Sequence, residues 1–142
     1  YNGFDHKELI RKIKQHKFPL LVCRSKSGGA HVFLFTDDFV PAALFRNKLK
    51  DMAAKLGYAN AEIFPKQNKV DMNKGGTGSF LNLPYHNALL SVRYGIKDDG
   101  SAMDLYQFFL LHAYKSSKFL QGHYLLILPL LLLQALLGLF AN

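Results

Sequence analysis

The sequence predicts one modest domain of the α+β (α/β) class, and three observations support this fold class. Apolar side chains recur at helical spacing after Asp5 and again after Pro41. Between these stretches, the segments 18–24 and 30–35 are apolar or alternate in polarity, and the turn 25–29 separates them as in a β-hairpin. The chain of 142 residues, 49% of them hydrophobic, is long enough to bury one core.

The first two helices are marked by residues typical of helix ends. Asp5 and Glu8 form a capping-box pattern ahead of an apolar stripe, which predicts a helix over 5–16. Pro41 is typical of a first helical position and Gly57 of the residue that follows a helix, so we expect the second helix between them.

The second half of the chain predicts further strands and a third helix. Three short apolar runs favour strands, which gives about five strands with the hairpin: 61–64, 80–83 and 89–96. The polar segment 65–79 contains three glycines and predicts a loop. Ser101 with Asp104 resembles a second capping box, ahead of a helix over 104–114.

The charge and the cysteine content restrict the partners and the compartment. A formal net charge of +8 favours an anionic partner, either nucleic acid or a membrane surface, although solubility alone also explains it. Cys23 is the one cysteine, so the chain forms neither an intrachain disulfide nor a cysteine zinc cluster. This composition fits a reducing compartment, and we expect the cytoplasm.

A leucine-rich segment follows the predicted domain. We divide the chain into a domain over 1–115 and a C-terminal segment over 116–142, which we expect to be helical. The run 124–140 is almost without polarity and has the length of a short membrane span, but Pro129 and Gln134 interrupt it. A buried helical hairpin that breaks at Pro129 explains the run as well, and we expect no membrane partner.

The hairpin turn carries residues that suit an anion. Ser25, Ser27, Gly28 and His31 occur together there, with Lys26 between the serines. Glycines let successive backbone N–H groups approach an anion closely, and hydroxyl, imidazole and ammonium groups donate to its oxygens. An ordinary glycine turn beside a packed histidine is the alternative interpretation.

Two later segments also carry candidate binding residues. Glu62 is a lone acid in an apolar run, so it must be paired, exposed or bound to metal, because burying a bare carboxylate is costly. Lys66 follows it as a lysine beside phosphates would, although an exposed acid on an edge strand explains Glu62 equally well. Asn82 belongs to a polar turn that could hold a sugar, a base or a backbone.

The order of these motifs resembles one known family. A small-x-His signature closes the hairpin at 27–31, an acid at Glu62 precedes Phe-Pro-Lys-Gln at 64–67, and a glycine-rich stretch leads to Leu-Asn-Leu-Pro-Tyr at 81–85. The sequence RYGIKDDGSAMDLYQFF at 93–109 then matches a strand, an Asp-Gly turn and a helix. The chain therefore resembles the archaeo-eukaryotic primase superfamily over about residues 18–113. It is most similar to the primase-like domains of phage and plasmid replication proteins and of TOTE conflict systems.

The resemblance implies a fold and an activity. The fold would be an RRM-like primase-polymerase core, with a mixed sheet flanked by helices. The activity would be template-directed joining of nucleoside triphosphates into primers on single-stranded DNA, with two divalent ions, Mg²⁺ or Mn²⁺. Such an enzyme would act in the replication of a phage or another mobile element, in the host cytoplasm if viral, together with a helicase domain or protein.

The resemblance also implies roles for individual residues. Glu62 corresponds to the third metal-binding acid, and His31 to the histidine that contacts the incoming triphosphate. Ser25, Ser27 and Gly28 would lie beside that triphosphate. Lys66 and Asn82 would contact a phosphate or the sugar, and three lysines would bind the template: Lys26, Lys48 and Lys55. A solvated helix face is the alternative explanation for the last two lysines.

The sequence departs from the family at its first acidic motif. That motif, Asp-x-Asp or Asp-x-Glu, would end a strand before the first helix, and no such pair precedes Asp5. The acid pairs at 37–38 and 98–99 lie in predicted turns instead. We expect the motif to precede Tyr1 in a longer chain. A catalytically degenerate nucleic-acid-binding module on the same fold is the alternative, and a membrane-associated protein that uses the leucine-rich segment is a third hypothesis.

Overall fold

A computed structural model describes residues 3–71, 73, 75–87 and 90–117, with side chains described as far as 111. Three helices and a two-stranded sheet make up its regular structure. In chain order they are α1 (His6–Gln15), β1 (Leu20–Arg24), β2 (Ala30–Leu34), α2 (Ala42–Lys55) and α3 (Leu105–Ser117). The predicted mixed composition of helices and strands is therefore confirmed.

Helix α1 begins where the capping pattern places it. The Asp5 carboxylate accepts a hydrogen bond from the Glu8 backbone N–H at 2.9 Å, which satisfies one free N–H of the first turn. The Glu8 side chain pairs with Arg11. One face of the helix buries Leu9, Ile10 and Ile13 against the sheet.

Strands β1 and β2 form the predicted hairpin. They pair antiparallel, with Val22 opposite Val32 and Cys23 opposite His31. The turn closes through a 2.8 Å bond from the Ser25 N–H to the Gly29 carbonyl, and Gly28 has a φ of +89°, a conformation that glycine adopts without strain. The register places His31 one residue into β2, at the end of the sheet that carries the turn.

The other edge of β1 pairs with a short extended segment. The Arg24 N–H donates to the Tyr94 carbonyl at 2.8 Å, and the Ile96 N–H donates to the Val22 carbonyl at 2.9 Å. The predicted strand 89–96 is represented only by isolated bridges at Gly95 and Ile96, and its first residue, Leu89, lies outside the described residues. Every ladder in the described part of the chain is antiparallel, and the prediction of a mixed sheet is wrong there.

Two other predicted strands, 61–64 and 80–83, have no regular secondary structure and form no ladder with any described residue. A strand requires a neighbour to accept its backbone hydrogen bonds, and the segments line a cavity beside β2 without pairing to it. The prediction of about five strands is thus wrong within the residues described, because apolar composition alone does not supply a pairing partner.

The sheet separates two apolar clusters. On one face, Leu20 and Val22 pack with α1 and with Met52 and Leu56 at the end of α2. On the other face, Leu21, Cys23 and Phe33 pack with Met103 and Phe108. The alternation of β1 and β2 therefore directs successive side chains to opposite clusters.

Helix α3 has a different cap from the one predicted. The Asp104 carboxylate accepts from the Gln107 N–H at 2.7 Å, and the Gln107 side chain accepts from the Asp104 N–H at 3.1 Å. This reciprocal pair makes Asp104 the capping residue, and Ser101 instead hydrogen-bonds Asp99 within the preceding turn. The leucine-rich segment 116–142 lies outside the described residues from 118 onward. No helix in the described ranges is long and apolar enough to cross a membrane.

Candidate functional site

The hairpin turn presents two serine hydroxyls at the end of the sheet. Ser25 is the one polar residue buried among those described, at 8% exposure, and its Oγ lies 3.3 Å from Oγ of Ser27. The Gly28 N–H donates to the Ser25 carbonyl at 3.1 Å, which holds the turn closed. The His6 ring nitrogen Nε2 lies 3.1 Å from the Gly29 carbonyl oxygen, so the first residue of α1 contacts the turn.

A polar cavity of about 410 Å³ opens beside this turn. Its lining comes from three separate parts of the chain: Ser25, Lys26, Ser27, His31, Asn82 and Arg93. Four of the predicted nucleotide-binding residues are among them. The structure thus brings Asn82 to the serines and the histidine of the hairpin, although more than fifty positions separate them in the sequence.

Tyr85 explains why Asn82 and Arg93 meet the hairpin. Its N–H donates to the Arg93 carbonyl at 2.8 Å, and its hydroxyl accepts from the Gly95 N–H at 2.9 Å and donates to the Met103 carbonyl at 2.8 Å. Burial raises the pKa of this hydroxyl to about 12, so it stays a donor. The motif 81–85 is therefore fastened to the same extended segment that pairs with β1.

Arg93 is the pocket residue that the sequence analysis missed. Its Nε is buried and has no hydrogen-bond partner among the described residues. Nearby, the guanidinium of Arg24 donates to the carbonyls of Val92 and Ser25. An arginine inside the mostly apolar run 89–96 was the available signal, because a cation there requires a partner.

Glu62 lies outside the polar cavity. It lines a larger, mostly apolar cavity of about 540 Å³, to which His31 and Asn82 also contribute. Its carboxylate forms an ion pair with Lys66, and both side chains are exposed. Lys66 lines neither cavity, so the structure does not bring this predicted phosphate contact to the serines.

The segment after Glu62 is held by α2. The Arg46 guanidinium donates to the Lys66 carbonyl at 2.6 Å and to the Pro65 carbonyl at 3.4 Å. Ser79 Oγ accepts from the Lys66 N–H at 3.3 Å and donates to the Gln67 side chain at 2.6 Å. The Arg46 bonds connect the backbone of the Phe-Pro-Lys-Gln motif to α2, and the Ser79 bonds connect the motif to the end of the loop 65–79.

The described residues do not fit a two-metal centre on their own. Nowhere in the described ranges do three His, Cys, Asp or Glu side chains gather as metal ligands. Among the described residues, Glu62 is the one carboxylate that lines either cavity, and Lys66 already neutralises it. A pair of divalent ions needs several oxygen ligands, so we derive no chemical step through a metal.

The predicted template lysines separate into two groups. Lys26 is exposed at the mouth of the polar cavity. Lys48 and Lys55 are exposed on α2 and line neither cavity. The structure therefore associates only the first with the pocket.

The polar cavity has the chemistry of an anion site. Two hydroxyls, an imidazole, an amide and two cationic groups belong to its lining residues, and no carboxylate of the described ranges lines it. Arginine and lysine donate charge-assisted hydrogen bonds to phosphate oxygens, and these bonds are stronger than those between neutral groups.

No protein-family model matches the chain, and no curated protein matches it.

Proposed function

We propose that this chain is the catalytic domain of a template-directed nucleotidyltransferase that synthesises primers on single-stranded DNA, built on an RRM-like core. The observation that carries the proposal is the polar cavity, which gathers the hairpin serines, His31 and Asn82 with two cationic side chains. These are the residues for which the family resemblance implies contacts to an incoming nucleoside triphosphate.

The cavity would bind and orient the triphosphate. Lys26 and Arg93 would neutralise its phosphates, while Ser27 and His31 would donate hydrogen bonds to individual oxygens. Asn82 would contact the sugar or a phosphate. Holding the nucleotide in one orientation supports a reaction with a primer end or a second nucleotide, because correct positioning removes much of the entropic barrier.

The net charge supports a nucleic-acid template as the second substrate. With +8 formal charges the chain attracts phosphates, and we propose that Lys48 and Lys55 on α2 contact the template backbone. Binding would then weaken strongly as the salt concentration rises. The biological setting we propose is replication of a phage or another mobile element, in the cytoplasm, with a helicase domain or protein as a partner.

A second candidate function is a nucleic-acid-binding module without catalysis. The observation that favours it is the single carboxylate among the cavity-lining residues, since phosphoryl transfer by two metal ions requires more oxygen ligands. This module would bind single-stranded DNA and nucleotides without joining them.

Nucleotide incorporation on unprimed single-stranded DNA tests the proposal, with Mg²⁺ and then Mn²⁺. We expect products from the parent chain and none from His31→Ala or Glu62→Ala. Nucleoside triphosphate binding, followed by calorimetry, should weaken about 10- to 100-fold in Arg93→Gln, because a charge-assisted hydrogen bond to phosphate is lost. Lys50→Ala, an exposed lysine on α2, serves as the control.

Three outcomes separate the candidates. Products that disappear in the His31 and Glu62 variants, with circular dichroism unchanged, support the nucleotidyltransferase. Triphosphate binding that depends on Arg93 without any product supports the binding module. Triphosphate affinity that is equal in the parent chain and Arg93→Gln contradicts both assignments of the polar cavity.

A further inference from the structure

The outer edge of β2 carries backbone groups that have no hydrogen-bond partner within the part of the chain that the structure describes. The backbones of Val22 and Arg24 form hydrogen bonds with the segment that contains Tyr94. The residues of β1 that alternate with them, Leu21 and Cys23, therefore direct their backbone hydrogen bonds to β2. The alternate residues of β2, Ala30, Val32 and Leu34, therefore direct their N–H and C=O groups away from β1. No hydrogen bond joins these outward groups to any other described residue.

An apolar groove adjoins this open edge. It is the cavity of about 540 Å³, and β2 lines it together with α2 side chains such as Leu49, Met52 and Ala53. The segment that contains Ile63 and Phe64 contributes to the lining as well. Val32, in the middle of the edge, remains 40% exposed. An open strand edge beside an apolar groove is a surface that other polypeptides can extend.

We propose that this groove binds an extended polypeptide strand, which pairs with the outer edge of β2 and continues the sheet. The chemistry of the edge indicates which class of molecule occupies the groove. Alternating donors and acceptors at strand spacing match another peptide backbone, whereas a lipid chain or a nucleic acid has no such row of paired groups. The backbone pairing does not depend on what binds in the polar cavity.

The two faces of the groove define the side chains of the occupant. Ala30 and Leu34 pack on the α1 and α2 side, whereas Phe33 packs on the α3 side, where His31 also lies. Successive side chains of an added strand would alternate between these faces. One face meets the apolar side chains of α2, so alternate residues of the partner are apolar.

The other face of the occupant approaches the polar cavity. His31 and Asn82 line both cavities, and Lys26 and Arg93 lie beside them. Complementary charge therefore assigns acidic side chains to that face of the partner strand. The chain's own run 124–140 lacks such alternation, and a polypeptide segment from outside residues 1–142 meets the requirement better.

A synthetic peptide provides the probe. It has seven residues, in which valine alternates with aspartate, and both termini are capped. Added to the full 142-residue chain, it should slow hydrogen exchange of the Val32 and Leu34 amides about tenfold or more, measured by nuclear magnetic resonance. A scrambled peptide of the same composition should leave those amides unchanged. Protection that is absent, or equal for the scrambled peptide, overturns the proposal.

Two N-methylated peptides test whether backbone pairing is responsible. One carries N-methyl groups on its valines and the other on its aspartates, so each blocks one edge of the strand. Only the peptide whose blocked edge faces β2 should lose affinity for the protein, by about 2- to 10-fold for each hydrogen bond removed. Equal affinities of the two N-methylated peptides contradict the pairing. A peptide with lysine in place of aspartate should bind about tenfold more weakly, and equal binding contradicts the acidic partner.

A variant of the protein provides the matching control. Val32→Pro removes one outward N–H, and proline is tolerated on an edge strand where that group bonds nothing. Val32→Pro should lower the affinity for the valine–aspartate peptide about tenfold. Val32→Thr, which keeps the N–H, should bind the peptide as tightly as the parent chain does. Should Val32→Pro fail to fold, the N-methylated peptides decide the question on the unaltered chain.

Discussion

At the scale of single residues, Tyr85 connects the segment that carries Asn82 to the segment that carries Arg93. Its hydroxyl accepts from the Gly95 N–H and donates to the Met103 carbonyl. Tyr85→Phe removes both bonds and leaves two backbone groups without a partner. We expect it to lower the free energy of unfolding by about 1–3 kcal/mol, measured by urea denaturation. Tyr106→Phe, at an exposed position on α3, should change it by less than about 0.5 kcal/mol.

The same residue scale shows what the sequence could and could not predict of the site. Ser25, Ser27 and His31 lie within one turn, so their proximity follows from the local pattern alone. Asn82 was predicted by the family resemblance. Arg93 was missed because its place depends on how the segment after Val92 pairs with β1, a long-range contact that no local pattern encodes.

At the scale of elements, Arg46 connects α2 to the Phe-Pro-Lys-Gln motif. Arg46→Ala removes its hydrogen bonds to the carbonyls of Pro65 and Lys66. Because the bond to Lys66 is exposed and the bond to Pro65 is only partly buried, we expect little change in global stability, about 1 kcal/mol or less, but faster local opening. Hydrogen exchange of the segment 62–68, followed by mass spectrometry, should accelerate several-fold.

The control for this prediction lies on the same helix. Lys50→Ala also truncates a long cationic side chain of α2, at an exposed position. Exchange of 62–68 should remain at the rate of the parent chain. Equal acceleration in both variants would indicate that charge or helix stability, rather than the Arg46 hydrogen bonds, holds the motif.

Helices were predicted more reliably than strands at this scale, for a physical reason. A helix satisfies its backbone within one segment, so the capping residue Asp5 and the apolar stripe of α1 sufficed. The hairpin was predictable too, because its partner strands are adjacent. The runs 61–64 and 80–83 have strand composition without a ladder, since strand formation depends on a neighbour elsewhere in the chain.

At the scale of the whole molecule, the buried Cys23 thiol and the half-buried Tyr85 hydroxyl contribute to the response to alkaline pH. Burial raises the pKa of the Cys23 thiol to about 12, and burial likewise raises the pKa of Tyr85 to about 12. In the unfolded chain these groups lose their protons at lower pH, about 8.5 for the thiol and about 10 for the phenol. The unfolded state then binds fewer protons, so stability falls as pH rises from about 9 towards 12.

Denaturation as a function of pH measures this effect. We expect the parent chain to lose about 2–4 kcal/mol of stability between pH 9 and 12, chiefly through Cys23, because solvent screening reduces the contribution of the half-buried Tyr85. Cys23→Ala should be less stable at neutral pH, because it leaves a small cavity, but its stability should fall less steeply with pH. Parallel curves for the parent chain and Cys23→Ala would contradict the assignment to the thiol.

The wall shared by the two cavities has a thermodynamic consequence. His31 and Asn82 line both the polar cavity and the apolar groove, so a molecule bound in one contacts side chains that shape the other. Binding in one cavity is therefore linked to binding in the other. If a strand bound in the groove changes the affinity for phosphate by some factor, bound phosphate changes the affinity for the strand by the same factor.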